Sequence, residues 1–296
     1  MTVITATFNS SRTLRRTIES VLMQDFENFE YLVVGDGCTD DSETVVESFM
    51  DPRVQWHNLL LNSGSQGAPN NHGLRLARGE LIAHIGHDDL WFPWHLSTLV
   101  GAFDSRDVDW LQSMVASVTP DGLEEIQSGS PDGFSYHSSG STPSSWLYRR
   151  CEPRFSTSEN VWLAPDFDFQ THYARQGWRM EVVQELTVVK FPSASWRLYA
   201  RRDNFPQDEV LEQLQDRAVD VQRRYLSEAA ARYFQMRHGI QPVLPWLRKQ
   251  FRRRVLLWVM NNRWDFPWMA KLFGRQFRRW NRAARQARGL SSSSKP

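Results

Sequence analysis

Residues 80–93 read ELIAHIGHDDLWFP. A short, mostly apolar run ends at two adjacent carboxylates, and Trp, Phe and Pro follow them. An apolar run of this length next to a glycine is typical of a buried strand. An ionised carboxylate is costly to remove from water unless another group compensates it. Asp88 and Asp89 therefore either cap the next helix or hold a ligand, and the flanking sequence favours a ligand.

Similar apolar runs occur earlier in the chain and alternate with segments of helical periodicity: MTVITATFN at 1–9, YLVVGDG at 31–37 and RVQWHNL at 53–59. This alternation predicts an α/β fold with a mostly parallel sheet. Ligands bind such sheets outside the carboxyl ends of the strands. We therefore expect Thr7, Asp36 and the pair Asp88–Asp89 to lie along one edge of the sheet.

Charge is distributed unevenly along the 296 residues. The first 240 residues contain 21 Lys or Arg and 33 Asp or Glu, whereas the last 56 contain 14 and one. Such a split predicts a separate surface role for the basic end. Its mixture of Arg with Trp, Leu and Phe fits a helical bundle packed on the acidic body, or a helix lying on anionic lipid. No nucleic-acid readout motif occurs, so no nucleic acid is expected as a partner.

The remaining composition limits the compartment. Cys38 and Cys151 are far apart and lack the spacing of a zinc site, which fits a reducing environment. The first residues contain no basic segment followed by an apolar run, so we expect no signal peptide. No apolar run reaches the roughly 18 residues of a simple membrane-spanning helix.

The carboxylate pair favours a divalent cation. Two adjacent carboxylates ionise together only if a cation, a sugar hydroxyl or both offset their repulsion. Mg²⁺ and Mn²⁺ prefer oxygen ligands and commonly take one or two carboxylates together with phosphates. A nucleotide diphosphate bridged by a metal to one aspartate fits this pattern. His84, His87 and His95 flank the pair and are open to a metal-ligating or a structural interpretation.

Two other acidic sites are ambiguous by themselves. Gly35-Asp36-Gly37 fits a plain turn, or a close approach by a ligand whose base or ribose donates to Asp36. Asp166 and Asp168 lie near a predicted helix start, where they either favour the helix dipole or supply a general base.

Taken together, these segments resemble the family 2 glycosyltransferases, which have the GT-A fold. The resemblance is carried, in the family's order, by ATFN at 6–9, SVLMQDFENFE at 20–30, VVGDGCTDDS at 33–42, NSGSQGAPNNHGLRLARGE at 62–80, HDDLWFP at 87–93 and PDFDFQTHYARQG at 165–177. These segments cover about the first 180 residues and are specific for the family but not for its substrate. Three positions depart from the family pattern: Gly35 replaces an Asp, Asn70 stands where an Arg is common, and Pro165 replaces a Glu.

The resemblance implies a metal-dependent, inverting transfer from a nucleotide diphosphate sugar, by default a UDP-sugar, to a hydroxyl of a saccharide or lipid-linked acceptor. Asp89 would hold Mg²⁺ or Mn²⁺, and Asp166 would be the general base. The residues expected to contact the nucleotide are Thr7, Asn9, Asp36 and Asp88. The further candidates are Asp168 as a reserve base, Asn70, His87, and Arg197 as a phosphate contact.

The resemblance also implies a division into domains. Residues 1–205 would form the GT-A domain, with a nucleotide-sugar-binding half at 1–96 and an acceptor-binding half at 97–205. Residues 206–296 would form a basic, mostly helical extension with disordered last residues. We expect a cytoplasmic enzyme that contacts the anionic inner face of the membrane through this extension.

Two other classes remain open. A catalytically decayed sugar-nucleotide-binding or scaffold protein would account for the three departures from the family pattern. A nucleotidyltransferase also uses a strand-end carboxylate and a metal, but the expected Gly-rich basic loop is missing from ATFNSSRTLRR at 6–16.

Overall fold

The computed structural model describes residues 1–128, 142–157, 165–191 and 206–238. These residues form a nine-stranded sheet with packed helices. The strands are β1 Thr2–Thr7, β2 Glu30–Gly35, β3 Val54–Asn58, β4 Leu81–His84, β5 Leu90–Trp91, β6 Trp110–Thr119, β7 Gly122–Gln127, β8 Trp146–Arg149 and β9 Met180–Lys190. The helices are α1 Ser11–Leu22, α2 Ser42–Glu47, α3 Gly67–Leu76, α4 His95–Asp104, α5 Pro165–Arg175 and α6 Gln207–Arg237.

The first four strands form a parallel half in the order β3-β2-β1-β4. Successive side chains of a strand point to opposite faces of a sheet. Val3 accordingly packs into a cluster with α1 and α4, whereas the adjacent Ile4 packs into a cluster with α3 and α5. Both faces of the sheet are therefore covered, which explains why these strands are almost continuously apolar. The predicted α/β fold class is confirmed.

The second half of the sheet is mixed. β8 pairs antiparallel with β4, and β6 pairs antiparallel with β8 but parallel with β9. β5 and β7 add further antiparallel pairings. β8 begins two residues after Ser144, whose side chain is hydrogen-bonded to the loop that follows β4. A strand that starts at this edge of the sheet must run antiparallel to β4, and this link between distant segments has no periodic signature in the sequence.

Helix α6 packs against the far half of the sheet. Val210, Leu211 and Leu214 are buried in one cluster with Leu90 of β5 and Val189 of β9. Helix α6 and strand β5, which are distant in sequence, thereby share one hydrophobic core.

No helix within the described ranges combines the length and the apolar composition needed to cross a bilayer. Residues 239–296, which include the whole basic end, lie outside the described residues. The domain boundary at 205, the disordered last residues and the contact with anionic membrane stay predictions.

The contact between α3 and β1 requires a glycine at position 73. A Cβ atom at Gly73 would lie 2.7 Å from Cγ2 of Ile4, whose side chain is fully buried and has no room to move. Gly101 in α4 provides a matched comparison, because a Cβ atom there meets nothing within 4 Å.

We expect Gly73→Ala to lower the free energy of unfolding by about 1–3 kcal/mol, since it overpacks a dense core. Gly101→Ala should raise it by about 0.5–1 kcal/mol, because alanine favours an exposed helix. Denaturant unfolding of both variants checks this. A neutral or stabilising Gly73→Ala would contradict the proposed packing.

Candidate active site

The ends of β1 and β2 meet at Thr7 and Asp36. The backbone N–H of Asp36 donates to the carbonyl of Thr7 at 2.8 Å. Thr7 is only 2% exposed, and its Oγ1 has no hydrogen-bond partner among the residues that the structure describes. Buried hydroxyl groups are normally paired, and an unpaired one is destabilising. Thr7 therefore keeps an unused donor and acceptor at the edge where the nucleotide is expected.

Asp36 organises the loop that follows β3. Its carboxylate oxygens accept hydrogen bonds from the backbone N–H groups of Ser63, at 3.0 Å, and Gly64, at 3.2 Å. Burial raises the pKa of Asp36, and the hydrogen bonds from this loop oppose the shift. The carboxylate thus holds a neighbouring loop at the site, and its contact with a nucleobase stays a prediction.

Asn9 joins the loops that follow β1 and β2. Its side-chain Oδ1 accepts from the backbone N–H of Thr39 at 2.8 Å, and its Nδ2 donates to Oγ1 of the same residue at 3.3 Å. Its φ of 45° lies in the left-handed region, which asparagine tolerates better than most residues. In this structure the amide of Asn9 binds protein groups, so its role at the nucleotide stays a prediction.

Ser144 closes the loop that follows β4, residues 85–89, which we call the aspartate loop. The N–H of Gly86 donates to Ser144 Oγ at 3.0 Å, and the Ser144 hydroxyl donates to Asp89 Oδ2 at 2.6 Å. The carbonyl of Ser144 accepts from Trp91 Nε1 at 2.6 Å, and Thr17 Oγ1 donates to the carbonyl of Asp89 at 2.9 Å. Asp89 is thereby buried with its carboxylate hydrogen-bonded, as a carboxylate removed from water must be.

The two carboxylates converge over Gly86. An ideal Cβ atom built on Gly86 would lie 3.1 Å from Asp89 Oδ2 and 3.3 Å from Asp88 Oδ1. Glycine is the residue that leaves this space open. The pair supplies carboxylate oxygens beside this glycine, and such oxygens are the ligands that a hard divalent cation takes together with phosphates and water. No cluster of three or more His, Cys, Asp or Glu suited to a metal occurs among the residues that the structure describes.

The three histidines near the pair have different surroundings. His84 and His95 are buried, where His84 Nε2 shares a hydrogen bond with the Tyr148 hydroxyl at 2.6 Å and His95 Nδ1 donates to Thr187 Oγ1 at 2.7 Å. Both therefore serve the core. His87 Nδ1 donates to the carbonyl of Ala6 at 3.2 Å, which ties the loop after β4 to β1.

The two acidic residues of α5 lie in its first turn. Gln170, one turn further along, donates to Gln112 of β6 at 3.4 Å, and Gln112 pairs with Trp146 at the start of β8. Residues four apart share a face of a helix, so Asp166 lies on the Gln170 face. This contact links α5 to the edge of the sheet where Ser144 closes the aspartate loop. Asp168 lies two residues from Asp166, on a different face of the same turn.

The sequence model of Glycosyl transferase family 2 matches residues 2–158, more than half of the chain. The chain belongs to this family. The match covers β1 to β4, the aspartate loop and Ser144, which together build the edge described above.

Two curated relatives are similar over part of their length. The UDP-Glc:alpha-D-GlcNAc-diphosphoundecaprenol beta-1,3-glucosyltransferase WfaP of Escherichia coli is 29% identical over 108 residues, which are 36% of this chain and 43% of that protein. The GalNAc(5)-diNAcBac-PP-undecaprenol beta-1,3-glucosyltransferase of Campylobacter jejuni is 34% identical over 105 residues, which are 34% of this chain and 33% of that protein. The chain thus matches less than half the length of either relative.

One solved structure with the same architecture is S. aureus TarS 1-349 in complex with UDP-GlcNAc. The similarity has a TM-score of 0.52 at 20% sequence identity and covers 75% of this chain and 73% of that chain. At this identity the likeness shows the fold alone, and it is a GT-A-like fold.

Several residues of this family 2 site had no signal in the sequence. Ser144, in the turn before β8, and Gln112, within β6, were missed because a single polar residue leaves no periodic pattern. Asn71 was also missed: its side chain exchanges two hydrogen bonds of 2.8 Å with the backbone of Phe155. The neighbouring candidate Asn70 is buried in α3. The candidate Arg197 lies outside the described residues.

The buried histidines should make stability depend on pH. Burial lowers the pKa of His84 and His95 to about 3 from the usual 6.5. Unfolding restores the higher pKa, so the unfolded state binds more protons below pH 6.5. The contribution of the neutral histidines to the free energy of unfolding is complete above pH 6.5. It falls as the pH is lowered towards 3, by up to about 1.4 kcal/mol per pH unit for each histidine. Urea unfolding above and below pH 6.5 measures this slope. His95→Gln should make the slope shallower, and an unchanged slope would contradict the assignment.

Proposed function

We propose that this protein is an inverting glycosyltransferase that uses a nucleotide diphosphate sugar, with UDP-sugars as the donor class, and a saccharide or lipid-linked acceptor. The observation that carries the proposal is the convergence of Asp88 and Asp89 over Gly86 at the carboxyl edge of a family 2 sheet. The relatives' names support a lipid-linked acceptor, since both contain undecaprenol. The UDP-GlcNAc complex of TarS supports the donor class.

On the donor side, Thr7 and Asp36 hold the nucleoside at the ends of β1 and β2. Asp89 is the proposed ligand of Mg²⁺ or Mn²⁺, and the Ser144 hydroxyl orients its carboxylate. Asp88 contacts the ribose or the sugar. A cation held by Asp89 would supply positive charge against the departing diphosphate.

On the acceptor side, a hydroxyl is a weak nucleophile at neutral pH and needs a general base. Asp166 takes the hydroxyl proton while the acceptor oxygen attacks the anomeric carbon. The bond from that carbon to the diphosphate oxygen breaks in the same displacement, and the diphosphate leaves with the bonding electrons. A single displacement from the opposite face inverts the anomeric centre. Asp168 is the second candidate for the base.

A non-catalytic binding or scaffold protein is the competing reading. A protein of this kind would be expected to have lost the acidic residues of the site together. Asp36, Asp88, Asp89 and Asp166 are all present, and the buried hydrogen-bonding of Asp89 keeps the loop ordered. These features favour an enzyme.

Calorimetry with UDP, UDP-glucose, UDP-GlcNAc and GDP-mannose, each with and without Mn²⁺, tests the donor and the metal together. We expect binding of a UDP-sugar that Mn²⁺ strengthens. Asp89→Asn should abolish the Mn²⁺ effect, and Ser144→Ala should weaken it by roughly 10- to 100-fold, since it removes the group that orients the ligand. Asp88→Asn should weaken donor binding and keep a response to Mn²⁺.

Each alternative has its own outcome. If Asp88→Asn lost the Mn²⁺ effect and Asp89→Asn kept it, Asp88 would be the metal ligand and Asp89 the contact to the ribose or sugar. Full activity in EDTA would refute metal dependence, and preferential binding of GDP-mannose would refute the donor class.

Replacing the general base should separate chemistry from binding. Asp166→Asn is expected to lower kcat by roughly 10²–10⁴-fold, because the amide cannot accept the proton. Affinity for the donor should stay near that of the unaltered protein. Asp168→Asn is the matched control in the same helical turn, and it should lower kcat far less. A larger loss in Asp168→Asn would transfer the role of base to that residue.

A further inference from the structure

Gln207, the first residue of α6, reaches the aspartate loop from the distant end of the chain. Its side chain is only 1% exposed. Its Nε2 donates to the backbone carbonyl of Asp88 at 3.2 Å across a separation of 119 residues. The amide group therefore lies directly beside one of the two carboxylate residues of the site.

The other end of this amide is unused. Gln207 Oε1 is buried and has no hydrogen-bond partner within the described part of the chain. The orientation of the amide follows from its neighbour, since exchanging the nitrogen and oxygen would set two acceptors against each other at the Asp88 carbonyl. Buried amide oxygens are normally paired, so this one calls for a hydrogen-bond donor that the residues described by the structure do not supply.

The start of α6 is held firmly in place. Arg16 of α1 forms an ion pair with Asp208, in which Nη2 lies 2.7 Å from Oδ2. Val210 and Leu211 are buried against the strands of the far half of the sheet. Anchors on both sides of the helix fix the position of Gln207, which is what a binding residue requires.

Gln207 Oε1 can only accept a hydrogen bond, so it can bind only those parts of the sugar nucleotide that have a hydrogen to donate. An ionised diphosphate has no hydrogen to donate, whereas the transferred sugar has several hydroxyl groups. The nucleoside is expected at β1 and β2, and α6 packs on β5 and β9, which lie at the opposite end of the strand order. Gln207 thus reaches the Asp88 loop from a helix that packs on β5 and β9.

We propose that Gln207 binds the sugar of the donor: its Nε2–H holds the backbone of Asp88, and its Oε1 accepts a hydrogen bond from a hydroxyl of the transferred sugar. This inference rests on the proposed function. It extends the donor site to α6, a helix beyond the segment that the family matches.

The test compares Gln207→Met with Gln222→Met. Methionine keeps the volume of the side chain and removes both polar ends. Gln222 is the matched control, because it is a half-buried glutamine on the same helix that donates to Glu185 Oε1 at 2.6 Å and to the Leu186 carbonyl at 2.9 Å. Calorimetry gives the affinity of each full-length variant for UDP, UDP-glucose, UDP-galactose and UDP-GlcNAc.

In the unaltered protein, at least one UDP-sugar should bind more tightly than UDP. Gln207→Met should keep the affinity for UDP within about twofold. It should lower the affinity for that UDP-sugar by roughly five- to tenfold, which corresponds to the loss of one hydrogen bond. Gln222→Met should change neither affinity.

Three outcomes would overturn the inference. Gln207→Met could keep the higher affinity for the UDP-sugar over UDP, or it could lower both affinities equally. Alternatively, Gln222→Met could lower the affinity for the UDP-sugar as much as Gln207→Met does. If the unaltered protein binds UDP with no added affinity for any sugar, the inference fails while nucleotide binding stands. If it binds no nucleotide at all, the proposed function fails first.

Discussion

The hydrogen bond from Ser144 to Asp89 is the constraint on which the site depends. A carboxylate buried beneath a sheet edge must be compensated, and here the partner comes from 55 residues further along the chain. The same hydroxyl accepts from the N–H of Gly86, so one side chain closes the aspartate loop at both ends. β8 begins two residues later, and its direction against β4 follows from that starting point.

Around this bond, the two halves of the sheet have different tasks. The parallel half presents Thr7 and Asp36 at adjacent strand ends, where an unpaired hydroxyl and a loop-holding carboxylate face the expected nucleoside. The mixed half brings α5 and α6 to the same edge, through Gln112 and Gln207 respectively. The aspartate loop lies between the halves, which is where a donor that spans a nucleoside, a diphosphate and a sugar needs its central contact.

The core supports this arrangement without taking part in the chemistry. His95 stacks on Trp91 with ring centroids 4.2 Å apart, and Phe169 of α5 stacks on Phe155 at 4.0 Å. The first contact packs the strand that follows the aspartates, and the second packs the helix that bears Asp166. Rings buried at close spacing restrict the motion of their backbones, so these residues help to hold the nearby carboxylates in position.

The amino-acid sequence alone determined the parallel half, the family and the edge at which Thr7, Asp36, Asp88 and Asp89 meet. These features are local: apolar runs specify strands, helical spacing specifies the connections, and parallel strands bring their carboxyl ends to one side. Only the tertiary structure revealed Ser144 as the partner of Asp89, the antiparallel entry of β8, and Gln207 beside Asp88. Each of these depends on one hydrogen bond between segments far apart in the chain, and a single polar residue leaves no periodic pattern from which such a partner can be predicted.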